Sequence, residues 1–517
     1  MLIESNVTAP ASRDVGRVGP APRVVRIHPA DDVAVAVRPL SAGETVDVDG
    51  DRLTLHADVP AGHKVALRPI EAGEPVTKYG FTIGIATESI ARGAWVHSHN
   101  LRTHLEGMVA YRYDPAPREP VGAEARPTVL GYRRENGRVG TRNEVWVLNT
   151  VGCVNFAAEG IARTSTERFR DVIDGVYAFG HPFGCSQLGD DLQNTQRILA
   201  GLMRHPNTGG VLVLGLGCEN NQMDSLLRIA GGDIDRSRLR FFNTQDVVDE
   251  RDEGLEAVAQ LVARMEHDRR AECPASDLIL GHKCGGSDGF SGITANPLVG
   301  RIADRLTAAG GGVVLTEVPE MFGAEQILMN RAKDEHVFEA IVAMIDDFKQ
   351  YFLGHGQPIY ENPSPGNRQG GITTLEEKSL GAIQKGGRAT VTRVLRYGEQ
   401  ATTGGLSLLE SPGNDGVSST AMTASGATIL LFTTGRGTPL GFPVPTIKIS
   451  SNSDIAAKKP HWIDFNAGAL LDGAATPEQL AEELFALILD VASGRKQTNN
   501  ERHGYREIAI WKAGVTL

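Results

Sequence analysis

The feature that most narrows the fold begins near residue 128. There, short apolar runs (VWVLNTVG, VYAFG, VLVLGLG, LRFFN, LILG and VVLTEV) alternate with helical stretches such as LEAVAQLVARMEHDRR. Strands that take turns with helices build βαβ units, and those units build parallel sheets. A second mixed block follows Thr390, with VTRVLRYG, LSLLESPGND, ATILLFTTGRGTPLG and TIKISS, then the helix TPEQLAEELFALILDVASGR. The pattern predicts a Rossmann-like parallel α/β region in two lobes, residues 128–389 and 390–517, with one continuous sheet shared by both as a variant.

The amino-terminal part follows another grammar. Residues 23–113 carry short β-runs such as VVRIHP, VAVAVRPL, KVALRPI and TIGIAT, separated by Gly and Pro, which predicts a small β domain. DPAPREPVGAEARP, residues 114–127, reads as an extended linker. Residues 1–22 lack the basic end and apolar core of a secretory signal and read as a disordered extension. A net charge of −11 argues against nucleic acid or an anionic membrane as partner. No apolar run reaches the roughly 18 residues of a membrane span. Five cysteines in 517 residues are too sparse for a disulfide framework, so a cytoplasmic protein with reduced thiols is expected.

Four of those cysteines fall where an apolar run meets glycine. Cys153 ends WVLNTVGC, Cys185 closes VYAFGHPFGC, Cys218 ends VLVLGLGC and Cys284 ends LILGHKC. In an open parallel sheet the carboxyl ends of strands share one edge, where ligands bind, so four thiols are expected to converge on one crevice. Packing as small hydrophobes is the alternative, and it is the reading for Cys273. Thiolates suit zinc, iron or an iron–sulfur cluster. A cysteine nucleophile served by His181, four residues before Cys185, competes with metal binding.

The same loops carry acids and a lysine: Asp190, Asp191, Glu219, Lys283, Asp288, Glu317 and Glu320. Any one acid could instead cap a helix. In the β domain, His63 and Lys64 follow a glycine turn, while His97 and His99 stand two apart and would share one face of a strand. Such a set could hold a metal or an anion. Asn414 in SPGND and Arg436 in FTTGRGTPLG sit in loops suited to a carboxylate. No GxxxxGK[ST] occurs and GLGCEN does not complete GxGxxG, so nucleotide binding lacks support.

Long segments carry a resemblance: GRVGTRNEVWVLNTVGCVN, GCSQLGDD, VLGLGCENNQ, KCGGSDGFSGITANP, LTEVPEMFGAEQ, YENPSPGN, FTTGRGTP and KKPHWIDFNAG. Over nearly its whole length the chain resembles the altronate/galactarate dehydratase family. The resemblance implies an SAF-type β-clip domain ahead of a large α/β region. It also implies an iron(II)-dependent hydro-lyase acting on a sugar acid; manganese(II) and an iron–sulfur cluster on the thiolates are the alternative cofactors. The implied reaction takes D-altronate to 2-dehydro-3-deoxy-D-gluconate by loss of the C2 proton and the C3 hydroxyl. Galactarate, another aldonic or aldaric acid, or mere binding of a sugar acid or metal are the alternatives.

On that reading, metal ligands are expected from Cys153, Cys185, Cys218 and Cys284, with His63, His97 and His99 as the rival set. His181 or Lys283 would be the base, and Asp288 or Glu317 the acid. His63, Lys64, His97, His99, Asn414 and Arg436 would hold substrate, and a homodimer is expected.

Overall fold

A computed structural model describes residues 21–105, 107–116, 127–232 and 234–517. The expected extension (1–22) and linker (114–127) lie mostly outside the described residues. The amino-terminal domain is entirely β. Val24–Val25, Val33–Ala36, Lys64–Ala66 and Trp95–Val96 form an antiparallel sheet in that order. A hairpin, Thr45–Val48 with Asp51–Thr54, and a three-stranded sheet of Pro75–Lys78, Phe81–Ala86 and Leu101–Arg102 complete it. In the strands Thr45–Val48 and Asp51–Thr54, apolar Val46, Val48 and Leu53 point inward while their neighbours face water. That alternation is expected of a sheet buried on one face.

The remainder is mixed α/β, built on two parallel sheets. The first orders its strands Gly175–Phe179, Glu144–Asn149, Thr208–Gly215 and Leu239–Asn243. Val145 and Val147 face helices Asn155–Phe169 and Glu250–Met265, whereas Trp146 and Leu148 face Gly189–Met203 and Met223–Ala230. Both faces are dry, which is why these strands read as unbroken apolar runs. Each fully buried large side chain of this kind contributes about 1.5–3 kcal/mol.

The second sheet has seven strands: Val391–Leu395, Gly405–Leu409, Gly312–Leu315, Ile279–Cys284, Ile429–Thr434, Thr446–Ser450 and Phe465–Asn466, all parallel. Its strands come from both sides of residue 390, so the division expected at 389/390 falls inside one sheet. The change of sheet lies between Asn243 and Ile279 instead. Propensity marks strands, but hydrogen bonding between distant strands decides which of them share a sheet. A short antiparallel sheet, Val139–Gly140, Thr128–Arg133 and Ala271–Pro274, contains Cys273, which is buried as core. Among the described residues no helix is long and apolar enough to cross a membrane.

The two large sheets share a core where helix Gly189–Met203 packs against helix Asp415–Ala424. A Cβ on Gly201 would stand 2.4 Å from the Ala424 carbonyl oxygen, so this close approach requires glycine. Helix propensity alone would make Gly201→Ala stabilising by about 1 kcal/mol. The contact is expected to outweigh that and make the variant less stable by about 1–3 kcal/mol. Chemical denaturation of the two proteins checks the sign.

Candidate active site

Ile279–Cys284 is the central strand of the seven. The chain leaves it for Gly312–Leu315 on one side and reaches Ile429–Thr434, on its other side, only much later. Where strand order reverses in this way, a crevice opens at the carboxyl ends. Lys283 and Cys284 occupy that end.

Around them lies a buried charge cluster. Cys284 Sγ and the carboxylates of Glu317 and Glu320 each offer one donor atom within 4.8 Å of the others. Lys385 Nζ stands 2.9 Å from Cys284 Sγ, and Lys378 Nζ 2.8 Å from Glu320. Lys283 Nζ donates to Glu317 and, at 2.8 Å, to Asp415. Three ammonium groups thus meet three carboxylates. Asp415, 36% exposed, is by far the most open of them, so it marks the mouth of the cluster. Glu317 sits in the left-handed region at φ 70°, strained for a non-glycine residue. The turn aims its carboxylate back at Lys283 and at the Cys284 backbone N–H, 3.3 Å away.

Electrostatics separates the two glutamates. Burial and the Glu320 charge push Glu317 above the usual carboxylate range. Glu320, although buried, is held down at about 2 by Lys378 and Lys385. Burial, with Glu317 and Glu320, pushes the Cys284 thiol up to about 12. Lys283 is desolvated, but Asp415 and Glu317 more than offset this and raise it. Two carboxylates driven apart in one pocket are a mark of divided acid–base duty.

A thiol and two carboxylates at this spacing fit a divalent ion such as iron(II) or manganese(II) in donor type. The three lysines now supply the positive charge that such an ion would bring.

The structure divides the four strand-end cysteines. Cys284 is buried in this cluster, while Cys153, Cys185 and Cys218 lie exposed on loops of the other sheet. The expected single crevice of four thiols is therefore corrected: two sheets have two carboxyl edges. His181 also belongs to the first sheet. Its Nε2 stands 2.8 Å from the Asn149 carbonyl, and its Nδ1 accepts from Phe183 N–H, so both ring nitrogens are engaged. Asp288 accepts from Ser291 N and Oγ, Phe290 N, Ser451 Oγ and Asn452 Nδ2, which makes it the organiser of its turn. Asn414 caps helix Asp415–Ala424, and its neighbour Asp415 is the residue that faces Lys283.

The β-domain residues gather elsewhere, on the segment 367–371. His63 Nε2 meets the Gln369 carbonyl at 3.1 Å, His97 Nε2 the Arg368 carbonyl at 2.9 Å, and Lys64 Nζ the Gly371 carbonyl at 2.8 Å. His63 and His97 stack with centroids 4.9 Å apart, and Trp95 donates to His63 Nδ1. His63 therefore has no nitrogen left for a metal. His99 is exposed beside Trp95. Arg436 Nη2 donates to Gln369 Oε1 of the same segment.

Lys64 and Lys78 both end on buried Glu377, at 2.8 and 2.7 Å. Together they hold the Glu377 carboxyl far below its usual range despite burial. Of the two, Lys64 is the weaker base, lowered by burial to about 8. Sequence reasoning missed Lys378, Lys385, Glu377, Lys78 and Asp415 as site residues, and named Glu320 only as a neighbour. The one available signal was a run of charge, EEK, inside the apolar stretch TTLEEKSLGAI.

Comparison with known proteins agrees with this architecture. Family models match residues 22–104 (Altronate/galactarate dehydratase SAF domain), 131–266 (D-galactarate dehydratase/Altronate hydrolase, second domain) and 275–516 (D-galactarate/Altronate dehydratase, C-terminal). The chain is 53% identical to an altronate dehydratase of Escherichia coli (strain K12), over 95% of this chain and 99% of that one. It is 49% identical to an altronate dehydratase of Bacillus subtilis (strain 168), with the same coverage. A galactarate dehydratase (L-threo-forming) of Escherichia coli (strain K12) is 34% identical over 97% of this chain and 99% of its own length.

Glu377→Gln leaves two buried lysines without a carboxylate and is expected to cost about 3–5 kcal/mol, read as a lower thermal midpoint. Acid should weaken domain docking too. Burial lowers His63 from 6.5 to about 4, so its contribution is full above pH 6.5 and is lost as pH falls through 4. Replacing His63 with Asn should flatten the fall of the thermal midpoint over that window.

Proposed function

Since the chain belongs to the altronate/galactarate dehydratase family, we propose that it removes water from altronate at the Lys283–Glu317 pair. The observation that carries this placement is the buried ammonium–carboxylate contact at the switch point of the seven-stranded sheet. The proton beside a carboxylate is weakly acidic, and the enediolate formed on its loss needs concentrated positive charge. Lys385 and Lys378 supply that charge from the strand-end side. In the ionised Lys283–Glu317 pair, the Glu317 carboxylate, its proton affinity raised by burial, takes the C2 proton and the Lys283 ammonium gives one to the departing C3 hydroxyl. Asp415 accepts from the Lys283 ammonium at the mouth and keeps it charged.

Cys284, Glu320 and the Glu317 oxygen that faces Cys284, not the one that faces Lys283, would hold the divalent ion, which when bound supplies Lewis-acid charge for the enediolate and the leaving hydroxyl. Arg436 and the segment 367–371 would orient the sugar-acid chain beneath the β domain, with His63 and His97 fixing that segment rather than ligating metal. We read the parallel region as two Rossmann-like lobes, which the 2-1-3-4 strand order of the first sheet supports. We read its setting as the cytoplasm, which five free cysteines support, and its assembly as a homodimer.

Lys283→Met is expected to lower kcat on altronate by roughly 100-fold or more while circular dichroism stays native. A steady-state assay of the 2-keto product, run in parallel on galactarate, checks both parts. Faster turnover of galactarate would refute the substrate, and an active Lys283→Met would refute the pair.

A further inference from the structure

The three exposed cysteines stand at the second carboxyl edge of the molecule. In the four-stranded sheet, Glu144–Asn149 and Thr208–Gly215 are neighbours across the reversal of strand order, and Gly175–Phe179 flanks them. Cys153, Cys185 and Cys218 follow these three strands, so they border the switch-point crevice of this sheet as Cys284 borders that of the other.

Backbone contacts lock the three loops together. Gly152 N–H donates to the Phe183 carbonyl at 2.9 Å, and Asn221 N–H to the Gly184 carbonyl at 3.0 Å. Ser186 N–H donates to Asn220 Oδ1 at 2.8 Å, and Asn221 Nδ2 to the Thr150 carbonyl at 2.9 Å. Each of these bonds lies within a few residues of a cysteine. Gly184, at φ 102°, has no room for a Cβ, which would stand 2.0 Å from the Thr150 carbonyl oxygen. Glu219 accepts from Leu216 and Gly217 N–H and from Thr150 Oγ1, tying the Cys218 loop to the Cys153 loop. His181 fixes the third loop through both ring nitrogens. Two buried amide oxygens beside this lattice, Asn149 Oδ1 and Asn221 Oδ1, have no hydrogen-bond partner among the described residues. The lattice holds three free thiols outward on one rigid edge.

Donor grouping bears on the ligand. Two sulfurs on one metal ion lie at most about 4.6 Å apart, twice the metal–sulfur bond of ~2.3 Å. No group of three donors within 4.8 Å includes any of these cysteines among the described residues. A polynuclear cluster spreads its thiolate ligands over several irons and accepts wider spacing. We propose that Cys153, Cys185 and Cys218 hold an iron–sulfur cluster at the tip of the four-stranded sheet, apart from the Cys284 cluster. Three thiolates leave one iron of a cuboidal cluster to a ligand from outside these loops. The proposal does not rest on the assignment of the Lys283–Glu317 pair.

The test is anaerobic reconstitution of the full chain with iron(II) and sulfide, followed by visible absorbance and assays of iron and acid-labile sulfide. The expected result is a brown protein with about four irons and four sulfides per chain. Cys153→Ser/Cys185→Ser/Cys218→Ser should abolish the chromophore, and Cys284→Ser should keep it. All three side chains are exposed, so the triple variant should melt like the unreconstituted parent. Should it fail to fold, Cys185→Ser alone supplies the comparison through its iron and sulfide content. A colourless parent, bound iron without labile sulfide, a chromophore that survives the triple substitution, or its loss in Cys284→Ser alone would each overturn the assignment.

Discussion

All strands of each large sheet run in one direction, and the chemistry depends on that constraint. Parallel pairing sends every connection across a face of the sheet and leaves the carboxyl ends together at one edge. Charged groups placed after a strand are thereby delivered to a common crevice without long loops. In the seven-stranded sheet that edge receives Lys283 and Cys284 from one strand and Glu317 and Glu320 from the next, with Asp415 following the Gly405–Leu409 strand. In the four-stranded sheet it receives three thiols.

Charges placed there are buried, and burial fixes their company. An unpaired ammonium in such a pocket would cost several kcal/mol, so Lys283, Lys378 and Lys385 are each met by a carboxylate or by the Cys284 sulfur. Pairing has a chemical consequence. Because Lys378 pairs directly with Glu320 and the Lys385 charge adds to it, that carboxylate stays ionised, while Glu317 bears the repulsion and rises. Two glutamates three residues apart thereby acquire different proton affinities from geometry alone.

The β domain docks beside this cluster by a similar device. Lys64 and Lys78 converge on Glu377, one residue before Lys378. Helix Leu375–Ala382 thus joins the docking contact to the reactive cluster, and the segment 367–371 that precedes it carries the His63, His97 and Arg436 contacts. The docking contact and Lys378 therefore share one short, fully buried helix.

Much of this was legible in the residues. Alternating apolar and helical stretches determined parallel sheets, period-two runs determined the β domain, and glycine-flanked strand ends singled out Cys284, Lys283 and Glu317. These are local properties, fixed by side-chain periodicity and turn chemistry. Tertiary structure alone decided that strands on both sides of residue 390 share a sheet and that the four cysteines divide between two edges. It also turned His63, His97, His181 and Asp288 toward backbone and turn partners, and Asn414 toward a cap. Lys283 meets an aspartate 132 residues away, and Lys64 a glutamate 313 residues away. No local pattern encodes such pairs, because strand order and domain docking choose them only when the whole chain has folded.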